Sequence, residues 1–175
     1  MKLLFSFSVI IILLFPSISC TERPKKIDNK QPIAFFNTGF GGFSQRDSII
    51  IKAIFSECGE WGGHVETIII NIDKEKKFYA TYKVYPFNCD SLDYYYGNES
   101  LKPIATQKTF LSDNRQQSVI DYIQRLTQSK ITESFPGHAG NVFSIIKSDS
   151  TFLILVYDTK ENDVKSFRQL VIELF

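Results

Sequence analysis

The order of extended and helical patterns along the chain is the feature that most restricts its fold. Several strand-like segments precede the first helical pattern, two more follow it, and a second helical pattern ends the chain. A doubly wound parallel sheet needs strands and helices that alternate regularly, and this order lacks that alternation. We therefore predict an α+β fold, in which an antiparallel sheet of about five to seven strands has two helices packed on one face.

The predicted strands are rich in β-branched and aromatic residues, which favour pleated and half-buried surfaces. They cover residues 33–36, 48–55, 65–72, 77–87, 105–111, 142–147 and 151–157. The last two flank Ser148-Asp149-Ser150, which predicts a hairpin. The run FLILV, residues 152–156, is apolar throughout, so we expect a central strand that is covered on both faces.

Two segments have apolar residues at helical spacing. Asp113 opens the first, with Gln116 as a capping partner three residues later, and Asp163 caps the second. We expect the buried stripes to consist of Val119, Ile120, Ile123 and Leu126 in the first helix and Val164, Phe167, Leu170, Val171 and Leu174 in the second. Each helix therefore has one face with which it can pack on the sheet.

The composition limits the classes of function. The chain has 175 residues, of which 43% are hydrophobic, and a formal net charge of +1. This suits a single folded domain, which we place at residues 33–175. The near-neutral charge gives no reason to expect a nucleic-acid partner. The stretch TGFGG, residues 38–42, lacks the Lys-Ser/Thr ending of a phosphate-binding loop, and we predict no cofactor.

Residues 1–19 have the three regions of a secretory signal peptide. Lys2 gives a positive start, residues 3–15 are almost wholly apolar, and small residues at 17–19 follow a break at Pro16. The apolar run is shorter than the roughly 20 residues that a membrane-spanning helix needs. We predict removal of this segment, and the basic residues at 23–26 leave an uncleaved membrane anchor as the alternative.

A single cysteine, Cys20, stands where this segment ends, and Ser17, Ile18 and Ser19 fill the three places before it. The arrangement resembles the lipobox of bacterial lipoproteins, in the looser form common in Bacteroidota. The resemblance implies that the Cys20 thiol receives diacylglycerol, that the chain is cut just before it, and that acyl chains hold the protein on a membrane. The alternative is a chance cysteine behind an ordinary signal peptide.

Residues 20–32 are then the lipidated cysteine and a flexible tether, since this stretch is charged, contains Pro24 and Pro32, and has too few apolar residues to order itself. In the family, residues after the cysteine influence the destination. Thr21 is not the Asp that favours inner-membrane retention, and no acidic cluster for surface export follows. The resemblance thus implies the bacterial cell envelope, on the outer membrane facing the periplasm.

The most unusual stretch is ECGEWGGHVE, residues 57–66, which joins two strong strand patterns. In a hairpin, Cys58 and His64 would lie close together, with Glu60 and Trp61 at the tip. Its three glycines permit positive φ, which tight connections need. The simplest interpretation is a shaped loop with a packed tryptophan, and Trp61 is also a candidate binding residue.

The same stretch offers groups for catalysis. His64 with Glu60 or Glu66 would make an acid–base pair, and Cys58 with His64 would make a nucleophile and base. His138, in a predicted loop, is a candidate third member. The chain has no G-x-S-x-G or H-E-x-x-H motif. An envelope hydrolase or metal-binding protein centred on Cys58, Glu60 and His64 is therefore the alternative function.

The cysteine count favours a disulfide. Lipidation of Cys20 would leave two of the three cysteines, and in an oxidising compartment Cys58 and Cys89 are expected to pair. One alternative is a zinc site that adds His64 and His138, although the spacing contains no close pair of ligands. Another is two free thiols. We predict no bound metal.

The stretch DYYYGNES, residues 93–100, contains the candidate recognition residues Tyr94, Tyr95 and Tyr96. Tyrosine gives a large, rigid contact area at a small entropic cost, although these side chains could instead extend the core. We therefore predict a lipid-anchored envelope protein that binds an envelope protein, a glycan or a small ligand, and does not act as an enzyme.

Overall fold

The computed structural model describes residues 46–58, 63–86, 102–133, 140–158 and 161–175. Within these ranges the chain forms six strands and two helices, each within a few residues of a segment predicted from the sequence. They are β1 (Ser48–Ile54), β2 (Val65–Ile72), β3 (Phe78–Tyr85), β4 (Ala105–Phe110), α1 (Asp113–Thr132), β5 (Asn141–Lys147), β6 (Leu153–Asp158) and α2 (Asn162–Leu174). The predicted strand at 33–36, the tether and the signal peptide lie outside the described residues.

The six strands form one sheet in the order β4-β3-β2-β1-β5-β6, and every neighbouring pair is antiparallel. The predicted α+β class with an antiparallel sheet is confirmed. β1 lies between β2 and β5, so that Ala53 is opposite Glu66 on one side and Phe143 on the other. The β5–β6 hairpin turns at residues 148–150, as predicted.

The two faces of the sheet have different surroundings, because successive side chains of a strand point to opposite faces. The face that carries Ile51, Ile68, Ala80, Phe143 and Val156 packs against both helices in one hydrophobic core. The helices contribute Val119, Ile120, Tyr122, Ile123, Leu126, Phe167, Leu170 and Leu174. No helix among the described elements packs on the opposite face, which we call the open face.

The predicted start of α1 at Asp113 is confirmed, but the capping residues of both helices lie one or two positions before those predicted. The N-cap of α1 is Ser112, which makes no side-chain capping hydrogen bond, so Asp113 lies inside the first turn. Gln116 is buried and its side-chain amide donates to the Leu111 carbonyl at 3.0 Å, a contact that ties α1 to the end of β4. The sequence does not distinguish an N-cap aspartate from one in the first turn, because an acidic residue stabilises the start of a helix at either position.

In α2 the N-cap is Glu161, at φ 60°, and not Asp163. Asp163 is 5% exposed and accepts a hydrogen bond from the Ser129 hydroxyl of α1 at 2.8 Å. It therefore joins the two helices, a role that depends on a residue 34 positions away. The predicted apolar stripe of α2 is confirmed, since Phe167, Leu170 and Leu174 are buried and Val164 and Val171 pack against the core.

Among the described residues, the expectation that residues 152–156 form a central strand is wrong, because β6 lies at the edge of the six-stranded sheet that these residues form. Its core-facing residues Ile154 and Val156 are buried, whereas Leu153 is 63% exposed. An apolar run predicts that its residues are buried, but it does not predict how many strands lie beside it. At the far end of β6, the outward N–H of Tyr157 donates to the Glu133 carboxylate at 3.0 Å.

Candidate functional site

The hairpin between β1 and β2 continues one residue pair beyond the strands. The Phe55 N–H donates to the His64 carbonyl at 3.1 Å, and the two rings stack with centroids 4.4 Å apart and an interplanar angle of 8°. This pairing positions His64 at the end of β2, on the face of the sheet that the helices cover. The sequence predicts that His64 lies near the hairpin tip. The backbone hydrogen bonds between β1 and β2, which continue to Phe55 and His64, hold it there.

Glu57 holds His64 from the opposite arm of the hairpin. Its Oε2 accepts the His64 main-chain N–H at 3.0 Å, and its Oε1 lies beside the ring Nδ1. Gly63 permits this approach, because a Cβ there would lie 1.9 Å from Glu57 Oε2 and 2.3 Å from the Phe55 carbonyl oxygen. The expected reason for glycine was positive φ, but Gly63 is absent from the positive-φ residues of the described chain. Close approach is the reason.

Glu66 is the centre of the site, and it is 3% exposed. Arg168 Nη1, from α2, donates to its two carboxylate oxygens at 2.6 and 2.7 Å. The Tyr82 hydroxyl of β3 also donates to Glu66, and the His64 Nε2 lies 2.9 Å from Glu66 Oε1. The carboxylate therefore has partners from the hairpin, a neighbouring strand and a helix.

Aromatic rings surround this polar centre. The Arg168 guanidinium carbon lies 4.4 Å from the Phe55 ring centroid, and the Tyr82 and Phe175 rings have centroids 5.4 Å apart. A guanidinium over a ring is attracted by the ring quadrupole and loses little hydration. We call Phe55, Glu57, His64, Glu66, Tyr82 and Arg168 the Glu66 cluster. It fastens the second half of α2 to the end of the β1–β2 hairpin.

Electrostatics favour the ionised form of Glu66. Burial opposes its ionisation, but hydrogen bonds from Tyr82, Arg168 and His64 outweigh burial and lower its pKa below the ordinary value of 4.5. Burial, together with the bond to Glu66, raises the pKa of the Tyr82 hydroxyl. Tyr82 is therefore a neutral donor and Glu66 a charged acceptor, with Arg168 as the counter-charge.

The arrangement around His64 has a chemical consequence. A carboxylate oxygen lies beside each of its ring nitrogens, and an ionised carboxylate only accepts hydrogen bonds. A neutral imidazole can satisfy one of these oxygens, and an imidazolium satisfies both. The ring is thus engaged on both edges by Glu57 and Glu66 and on its face by Phe55, which holds it in place.

The structure brings together some of the residues singled out from the sequence. His64 and Glu66 are in contact, and Cys58 is half-buried at the turn that follows β1. The other candidates lie outside the described residues, so their roles remain predictions. They are Cys20, Glu60, Trp61, Cys89 and its pairing with Cys58, Tyr94, Tyr95, Tyr96 and His138.

Sequence reasoning missed Arg168 and Tyr82. Arg168 lies four residues after Val164 and three before Val171, so it falls on the apolar stripe of α2, where a charge indicates a buried partner. Glu66 shares its face of β2 with Ile68 and Ile70. The available signal was that Glu66 and Arg168 are charged residues at core-facing positions of two different elements. They are 102 residues apart in the sequence, so the signal did not show that they form a pair.

Three further observations bear on the classes of function. Within the described ranges, no group of three or more His, Cys, Asp or Glu side chains is arranged to hold a metal ion. Of the helices described, none is long and apolar enough to cross a bilayer. Comparison with protein-family models, with curated proteins and with solved structures finds no match.

The lowered pKa of Glu66 predicts a specific sensitivity to acid. Because the folded pKa lies below the unfolded one, the ionised carboxylate stabilises the fold above about pH 4.5, and this contribution is lost as the pH falls through the folded pKa. We expect urea denaturation to show a steeper loss of stability between about pH 5 and pH 3 for the native protein than for E66Q. Parallel pH profiles of the two proteins would contradict this.

Proposed function

We propose that the protein is a lipid-anchored component of a bacterial cell envelope and that its folded part is a binding module. The partner is an envelope protein, a glycan or a small ligand. The signal-peptide pattern of residues 1–19 and the lipobox-like position of Cys20 support the location. On this proposal the anchor lies on the outer membrane, facing the periplasm, and the tether keeps the folded part near the bilayer.

The single observation that carries the binding proposal is the character of the open face. Its strand positions include the partly exposed tyrosines Tyr79, Tyr85 and Tyr157. They also include Lys52, Lys83 and Lys108, and no Asp or Glu occupies an open-face position of the six described strands. Tyrosine side chains give a large, rigid and amphipathic contact area, and lysine ammoniums attract anionic groups, so a face that carries both suits the recognition of a partner.

The Glu66 cluster supports binding over catalysis. A general acid or base must be able to exchange a proton with a substrate. Glu66 is buried and its charge is compensated by Arg168, and each edge of His64 faces a carboxylate. These side chains are committed to one another, as in a polar network that positions a helix and a hairpin. The cluster is therefore best explained as a support for the sheet that carries the binding face.

The location is tested by metabolic labelling with radioactive palmitate. We expect the label to enter the native protein and to be lost entirely in C20A, because the Cys20 thiol is the proposed acceptor of diacylglycerol. C58A is the matched control and should incorporate as much label as the native protein. Label that enters C20A to the native level, or never enters the native protein, would refute the anchor.

A further inference from the structure

One row of side chains crosses the open face at right angles to the strands. Lys52 of β1 is opposite Thr67 of β2 and Ser144 of β5, Thr67 is opposite Lys83 of β3, and Lys83 is opposite Thr106 of β4. Neighbouring strands lie about 4.8 Å apart, so successive members of this row are side-by-side neighbours. We call these five residues the central row. Hydroxyl and ammonium groups alternate along it.

The hydroxyl in the middle of the central row has no hydrogen-bond partner among the described residues. Thr67 is 8% exposed, and its Oγ1 is buried without a hydrogen bond in the part of the chain that the structure describes. Buried polar atoms in folded proteins are almost always paired, because an unpaired hydroxyl loses its bonds to water and gains nothing. An unpaired buried hydroxyl therefore needs a specific explanation, and a role in binding a ligand is one.

Thr67 has a lysine on each side. Lys52 and Lys83 are its direct cross-strand neighbours, and a lysine side chain is long and flexible enough to bring its ammonium over an adjacent position. An ammonium has three donors, so each lysine can bind an anionic oxygen while it keeps another contact. The hydroxyl can donate a further hydrogen bond. The three groups can therefore converge on one oxyanion above Thr67.

One of the two neighbouring rows is apolar and aromatic. In this row Val65 is flanked by Ile54 and Tyr85, and the row ends at Tyr157 of β6. A tyrosine gives both a ring face and a hydroxyl. A sugar ring has C–H groups on its faces and hydroxyls at its rim, and a uronic acid adds a carboxylate. Such a unit matches the hydroxyls, ammoniums and rings of the open face.

Positive charge continues beyond the central row. Lys108 of β4 lies on the open face with its Nζ 5.0 Å from the Tyr79 ring centroid. Lys52, Lys83 and Lys108 lie on three of the four adjacent strands β1 to β4, and no Asp or Glu occupies an open-face position of the described strands. A chain with repeated carboxylates would meet several of these cations, whereas a single small anion would meet only the central pair.

We propose that the open face binds an acidic glycan with its central row, and that one carboxylate is held over Thr67 by the Thr67 hydroxyl, Lys52 and Lys83. This inference rests on the proposed binding function and names its ligand class. Lys108 and the tyrosines contact neighbouring sugar units. Attraction between the lysines and the carboxylates makes binding weaker as salt is added.

The test is calorimetric titration of the mature chain in detergent with an oligogalacturonate, and with a neutral oligoglucan of the same length. We expect only the oligogalacturonate to bind. T67V keeps the shape of the side chain but removes the hydroxyl, and K83Q removes one cation. Each should weaken binding by roughly tenfold, the effect of losing one charge-assisted hydrogen bond.

Thermal unfolding adds a readout that separates binding from folding. T67V should raise the melting temperature, because it removes a buried hydroxyl that has no hydrogen-bond partner within the described ranges. Y122F is the matched control, since the Tyr122 hydroxyl in the core is also buried and unpaired within the described residues. Y122F should raise the melting temperature and leave affinity unchanged. K165Q removes an exposed lysine of α2, on the helix side of the sheet, and should change neither.

Three results of the titrations would overturn the proposal. They are an oligogalacturonate that does not bind at millimolar concentration, a neutral glycan that binds equally well, and T67V or K83Q that binds as the native protein does. None of these alters the palmitate result, which tests the anchor alone. Competition by an acidic peptide that displaces the oligogalacturonate more strongly than further glycan would also overturn it, in favour of a protein partner.

Discussion

Replacement of Glu66 by Gln is expected to lower the free energy of unfolding by about 2–3 kcal/mol. The variant keeps the size of the side chain but removes the charge that Arg168, Tyr82 and His64 satisfy. The loss should be smaller than the roughly 3–5 kcal/mol typical of a broken, fully buried ion pair. The reason is that Arg168 is 42% exposed and can regain water. Urea denaturation at pH 7 measures the difference.

The matched control is E75Q. Glu75 and Lys77 form an ion pair at 2.7 Å, but their side chains are 72% and 52% exposed. Water screens such a pair, so its removal should change stability by at most about 0.5 kcal/mol. If E66Q were as stable as E75Q, the Glu66 cluster would not hold α2 to the hairpin as its hydrogen bonds indicate.

The second large effect is expected for Gly63→Ala. A methyl group there would lie 1.9 Å from Glu57 Oε2, 2.3 Å from the Phe55 carbonyl oxygen and 2.8 Å from the Glu57 nitrogen. Two of these atoms are main-chain atoms, so rotation of a side chain cannot relieve the overlap. We expect a loss of about 3 kcal/mol in the free energy of unfolding, the upper range for overpacking.

The same substitution in an E57A background separates the two sources of overlap. E57A removes the carboxylate that would be closest to the new methyl group, and leaves Phe55 and the main chain of residue 57 in place. We expect G63A to remain destabilising by most of its original amount in this background, as measured by urea denaturation. Full rescue by E57A would show that only the side chain, and not the hairpin backbone, requires glycine at this position.

The elements of the fold were largely predictable because their periodicities are strong. β2 has the bounds predicted for it, and both helices bury the stripes that their spacing indicated. The position of β6 was not predictable in the same way. Its apolar run predicts burial, whereas the number of strands beside it depends on how the other strands are arranged in the sheet. Here the next described element is α2, and β6 lies at the edge of the sheet that the described strands form.

The candidate site was predictable only in part. Proximity of His64 and Glu66 follows from their separation of two residues in an extended segment, which is a local property. Arg168 joins them from a helix near the end of the chain, and Tyr82 from the next strand. Tertiary packing brings these residues together. A charge on an apolar stripe indicates that a partner exists, but it does not identify the partner.

The contact between Glu133 and the Tyr157 amide has a consequence for crowded chains. An exposed edge strand is a template on which another chain can add, and proteins usually interrupt such edges with charge. The Glu133 carboxylate, which also pairs with Lys130, occupies one outward N–H of β6, where an incoming strand would place a carbonyl. Molecules held on a membrane by the proposed lipid anchor would meet each other often. The Glu133 carboxylate would then discourage their β6 edges from pairing into fibres.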